Sequence, residues 1–217
     1  MYRLVAFVAF LTLVGCASPV SLPVDNLAAS ARTPVEDLRP SSEGTREIFS
    51  LLITSERYGY ARLAQDVTEP TGPRLFAHRL QEKYGTRTVP PTKLHHFAVY
   101  VNQRAQFRSM AIGVGLGGVV GAAIAGGTAT REGDIVHTLV SRDEFAKSSG
   151  DEEVKRAQYT EAEVKAGNSV FVIFIESESQ GQRRFTRTVS PIKPAEAGQK
   201  VPLHQAFDAA IHFHLNP

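Results

Sequence analysis

The sequence predicts an α+β domain: a two-layer, mainly antiparallel sheet with packed helices, to which a glycine-zipper-like segment is added. Three observations predict it. Val170 to Ile175 is an unbroken run of large apolar side chains, which a strand points alternately to its two faces. Gln180-Gly181 separates that run from the alternating Arg184 to Val189, the pattern of a β-hairpin. Leu203, Phe207 and Ile211 recur every four residues after Pro202, which marks a helix able to lie on the sheet.

Taken along the chain, the first folded element is a short edge strand at Val35 to Leu38, closed by Pro40. Arg46 to Ile53 reads as a second strand and Tyr58 to Leu63 as a weaker third. Pro73 sits where a first helical turn tolerates it, and Phe76, Leu80 and Tyr84 share a face before the Gly85 stop. After Pro90-Pro91, Leu94 to Val101 is β-rich and reads as a core strand, and Asp134 to Val140 as another. The charged stretch from Asp151 to Ala166, ending at Gly167, reads as a surface helix.

The chain has 217 residues with 24 Lys+Arg and 22 Asp+Glu, a net charge of +2, so no excess of basic residues is available for a nucleic-acid surface. A short cationic start, Met1-Tyr2-Arg3, precedes an apolar stretch from Leu4 to Gly15. That is the pattern of a secretory signal over residues 1–15, too short for the roughly 20 residues of a permanent span. It ends in Leu13-Val14-Gly15-Cys16, and Cys16 is the only cysteine. This resembles the lipobox of bacterial lipoproteins. The resemblance implies a diacylglyceryl thioether on Cys16, with Ala17 and Ser18 in place of an inner-membrane retention signal, hence an outer-membrane anchor facing the periplasm. Residues 16–34, with Pro19, Pro23 and Pro34, read as a tether, and residues 35–217 as the periplasmic domain. The lipobox, the Pro-rich stretch and Asp37-Leu38-Arg39-Pro40 after the first strand together resemble YajG-type periplasmic lipoproteins; the resemblance carries no site.

Ser109 to Thr130 holds no formal charge and is bracketed by Arg108 and Arg131. Gly113, Gly117, Gly121 and Ala125 fall on one helical face, which resembles the glycine-zipper segments of other envelope lipoproteins and suits self-association or insertion. A helix packed on the domain's own sheet and a flexible loop are the other readings. Each glycine in a water-exposed helix costs about 1 kcal/mol against Ala, which excludes that fourth reading. Gly113-Val114-Gly115-Leu116-Gly117-Gly118 has dinucleotide-loop spacing, but neither a preceding strand nor a following acidic residue gives it that context.

Candidates for chemistry are few. His204, Asp208 and His212 are spaced four apart on the terminal helix, where they would form either a metal site or the solvated side of that helix. His95-His96 would point to opposite faces of a strand, and Arg183, Arg184 and Arg187 would either meet an anionic surface or keep an exposed strand soluble. No phosphate loop and no nucleophile elbow occurs, so no catalytic residues and no cofactor are assigned. The expectation is a non-enzymatic, lipid-anchored envelope protein with a structural or binding role, attached through acyl chains on Cys16. An envelope protein or a second copy would be its partner. The alternatives are a membrane-inserting, self-associating glycine-zipper protein and a metal-binding periplasmic protein.

Overall fold

The computed structural model describes residues 19–27, 35–44, 47–51, 58–63, 68–104, 134–154, 170–192 and 200–216. The signal, Cys16, the glycine segment 109–130 with its row Gly113, Gly117, Gly121 and Ala125, and positions 155–166 of the expected surface helix lie outside them.

The strands are β1 (Val20–Ser21), β2 (Val35–Asp37), β3 (Glu47–Leu51), β4 (Tyr58–Arg62), β5 (Thr68–Glu69), β6 (Thr92–Arg104), β7 (Val136–Leu139), β8 (Val170–Ser179) and β9 (Gln182–Pro191). The helices are α1 (Gly72–Tyr84), α2 (Arg142–Ser148) and α3 (Pro202–Leu215), with a 3-10 turn at Ser41–Gly44. The chain is α+β, with one seven-stranded sheet: six strands in the order β3-β4-β6-β8-β9-β7, and β2 as the seventh, beside β6. All its pairings are antiparallel except that of β2, which runs parallel to the first residues of β6.

β2 and β4 share one edge of β6, because each is too short to cover it. β2 pairs with Thr92 to Leu94, and β4 pairs with Tyr100 to Arg104. Between these two strands, the β6 backbone bulges at Leu94–His96. The carboxylate of Glu43, on the 3-10 turn, enters this gap and accepts the Phe97 N–H at 2.9 Å.

Val170 to Ile175 are all buried, so both faces of β8 are covered, as their apolar run requires. On one face α1 and α3 supply Leu75, Phe76, Leu203, Phe207 and Ile211 against Phe97, Phe171 and Ile173. Phe97 and Phe207 meet edge to face, with centroids 5.6 Å apart. On the other face the cover among the described residues is not α1. It is Phe145 of α2 together with Val154 of the helical turn 151–154, packed on Ala98, Tyr100, Val172 and Phe174.

Local chemistry fixes the ends of these elements. Thr71 caps α1 by accepting from Arg74 N, Pro73 lies in its first turn, and Gly85, at φ 59°, closes it with its N–H on Gln81 O. α2 starts on a reciprocal capping box between Ser141 and Glu144. Gln180 and Gly181 have φ of 53° and 76°, the left-handed pair that a two-residue hairpin turn needs. β1 and β5 form a separate two-stranded parallel pair, and Leu22, just beyond β1, is 2% exposed in the α1–α3 core. This part of the stretch read as a tether is therefore docked on the domain.

Candidate functional site

A cleft of about 370 Å³ opens where α1 and α3 end against the β8–β9 hairpin; Phe76 and Leu80 line it with Lys83, Ser177, Arg184 and His214. β8 presents Ser177 and β9 presents Thr186 to the helix face, and the last turn of α3 places the His214 ring between them. Ser177 Oγ lies 2.7 Å from His214 Nε2, and Thr186 Oγ1 lies 2.7 Å from Nδ1. One ring nitrogen donates and the other accepts, so the two hydroxyls and the imidazole satisfy one another in a space where an unpaired group would cost about 1–3 kcal/mol.

The electrostatics keep this imidazole neutral. Burial, reinforced by the nearby charges of Arg184 and Lys83, pushes the His214 pKa down to about 3. The two cations are spent on the end of α3: Arg184 Nη1 donates to His214 O at 2.7 Å, and Lys83 Nζ donates to Leu215 O. Cations at a helix C-terminus oppose its dipole, and burial lowers the Lys83 pKa as well. A base with a pKa near 3 is poorly matched to proton transfer at neutral pH, and Thr186 stands where a carboxylate would steady an imidazolium. The cleft mixes apolar Phe76, Leu80 and Leu215 with the cations Lys83 and Arg184. A second groove, of about 580 Å³, runs along Val35, Thr92, Lys93 and Gly181, and is the more open of the two.

Of the residues that the sequence singled out on α3, His204 and Asp208 meet, and the three do not form a group. His204 is fully buried, with neither ring nitrogen hydrogen-bonded, and burial lowers its pKa. Asp208, 3.3 Å from His204 Nε2, is taken by Arg79 at 2.7 Å and by Lys200 at 2.5 Å. Burial alone would raise the Asp208 pKa, but the hydrogen bonds from these two cations hold it below the usual carboxylate range. His212 is exposed. Among the described residues no three His, Cys, Asp or Glu side chains come together as metal ligands. The solvated-side reading fails too for His204, which is fully buried.

Elsewhere the charged candidates are drawn into the fold. His95 Nε2 lies 3.1 Å from Glu178 Oε2, while His96 Nδ1 pairs with Glu43 Oε1 and its ring meets Phe145 edge to face. Arg183 reaches Glu176 at 2.8 Å, so it and Arg184 are both committed to internal partners.

Two clusters escaped the sequence reading. His214 is three residues after Ile211 and seven after Phe207, on the apolar stripe of α3, and that spacing was the signal for its burial. Arg62, Tyr100 and Asp151 form the other cluster, on the α2 face of the sheet. Arg62 Nη1 contacts both Asp151 oxygens at 2.5 and 2.6 Å, and the Tyr100 hydroxyl donates to Asp151 Oδ1 at 2.7 Å. Burial and that carboxylate push the Tyr100 pKa up. No local spacing connects these three positions.

Comparison with protein-family models, with curated protein sequences and with solved structures finds no match to this chain.

Proposed function

We propose that this chain is a lipid-anchored, non-enzymatic protein of the cell envelope. It faces the periplasm from the outer membrane and binds a partner or small ligand through the cleft beside His214. The observation that carries the anchor is Leu13-Val14-Gly15-Cys16 at the end of an apolar, signal-like stretch. Acyl chains supply the attachment at about 0.8 kcal/mol per buried CH₂, which a nearly balanced chain with net charge +2 cannot obtain from a basic patch. The binding role is supported by the cleft itself, about 370 Å³ lined by both apolar and charged side chains. Membrane fractionation tests this reading: the parent should partition with the outer membrane, and Cys16→Ser should release the domain into the soluble periplasm.

A second reading rests on the uncharged stretch Ser109 to Thr130, in which the face formed by Gly113, Gly117, Gly121 and Ala125 inserts or self-associates. A variant lacking residues 1–16 separates the two. If it floats with liposomes and Gly117→Leu abolishes its self-association, the glycine segment is the membrane element; a monomer that stays in solution removes this reading.

A further inference from the structure

The position of β1 limits where a lipid on Cys16 can lie. Four peptide steps separate Cys16 from Val20, a reach of at most about 14 Å even if fully extended. Beyond Val20 there is no slack: Val20 and Ser21 are paired with Thr68 and Glu69, Leu22 N donates to Glu69 O at 2.7 Å, and Leu22 is 2% exposed in the core. Cys16 is thus held close to one part of the domain.

That part lies at one end of α1. β5 leads through Pro70 and Thr71 into Gly72, whose backbone lies against the Phe97 ring. The other end of α1, Lys83 and Tyr84, lines the same cleft as Gln180 and Gln182 of the hairpin. The described residues that flank the glycine segment in the chain also lie away from the hairpin. β6 ends at Arg104, opposite its Thr92 end, where the hairpin pairs through Ser179. β7 begins at Val136, whose partner Val189 is in register with Val172 and Tyr100. Among the described residues of this end, Glu69 of β5 and Arg74 form an exposed ion pair.

We infer that the domain meets the bilayer with the end that carries β1, β5 and the first turn of α1, leaving the hairpin and the His214 cleft pointing away from the lipid. The inference rests on the Cys16 anchor and adds an orientation to it: the cleft is presented to the periplasm.

The test uses the full lipidated protein. Cys16 is the only cysteine and is acylated, so a single introduced thiol takes one dye. Arg74→Cys and Gln182→Cys, each carrying the dye, are reconstituted into phosphatidylethanolamine–phosphatidylglycerol vesicles that contain a headgroup-linked energy acceptor. Because α1 rises about 15 Å from Arg74 to Tyr84, which lines the cleft with Gln182, transfer from residue 74 should exceed that from residue 182 by roughly twofold or more. Equal transfer, or stronger transfer from residue 182, overturns the orientation while flotation of the vesicles with protein keeps the anchor. Failure of the parent to float, or flotation of Cys16→Ser equal to the parent, removes the anchor and the orientation with it.

Discussion

The Glu43 carboxylate accepts the Phe97 N–H at 2.9 Å, where β6 passes from its β2 partner to its β4 partner. Glu43 is 3% exposed, and its other oxygen pairs with His96 Nδ1. A polar side chain here stands in for a missing strand, and lets two short strands share one edge without leaving the backbone donor at the bulge dry. Glu43→Ala should therefore lower unfolding free energy by about 1–3 kcal/mol, and Glu43→Gln, which keeps an acceptor, by less. Urea titration of the two variants checks the order.

Acid should loosen the domain through His214. Its folded pKa is about 3 against an ordinary value of 6.5, so the unfolded chain binds the proton first as pH falls. The stability contributed by the neutral imidazole is complete above pH 6.5 and is lost progressively down to pH 3. Between pH 7 and pH 4.5 the loss is about 2–3 kcal/mol. His214→Gln should flatten this dependence in denaturant titrations across that range. The lowered pKa of His204 acts in the same direction in both proteins, so the difference between them reports His214.

The Arg62–Asp151 pair ties β4 to the helical turn that covers the second face. Arg62 is 3% exposed and Asp151 about a third, so the pair is only partly screened. Asp151→Ala should cost about 2–4 kcal/mol, since it leaves the guanidinium buried without that carboxylate. Tyr100→Phe, which removes one donor to the same oxygen, should cost about 1 kcal/mol. Thermal unfolding of the two variants and of the parent gives the ranking.

Docking of α3 predicts a contrast within one helix. Phe207 is 3% exposed against Phe97, whereas His212 faces solvent. Phe207→Ala should cost about 3–5 kcal/mol, a large share of a typical domain's stability, and His212→Ala should change it little. Equal melting temperatures would show that α3 does not dock.

How far the sequence reveals this molecule depends on the range over which each feature is encoded. The β8 run, the Gln180-Gly181 turn and the Leu203, Phe207, Ile211 stripe are periodic over several residues, and each is found where it was expected. β1 and β5 are two residues each, too short to carry a period. α2 is short as well, yet its Ser141–Glu144 box before Phe145 was a readable start. The site was less legible. His204 and His214 are polar by type but lie on the buried stripe of α3, and the partners of the His214 ring come from other elements: Ser177 from β8 and Thr186 from β9. The Glu43 plug joins positions 54 apart in the chain, a separation at which no local pattern survives.

Intact-mass analysis of the membrane-extracted protein, with metabolic acyl labelling, decides whether Cys16 carries lipid. The expected result is a mature chain that begins at Cys16, carries the mass of its acyl groups, and loses the label in Cys16→Ser. A mature chain that begins elsewhere, or equal labelling of Cys16→Ser, would contradict it.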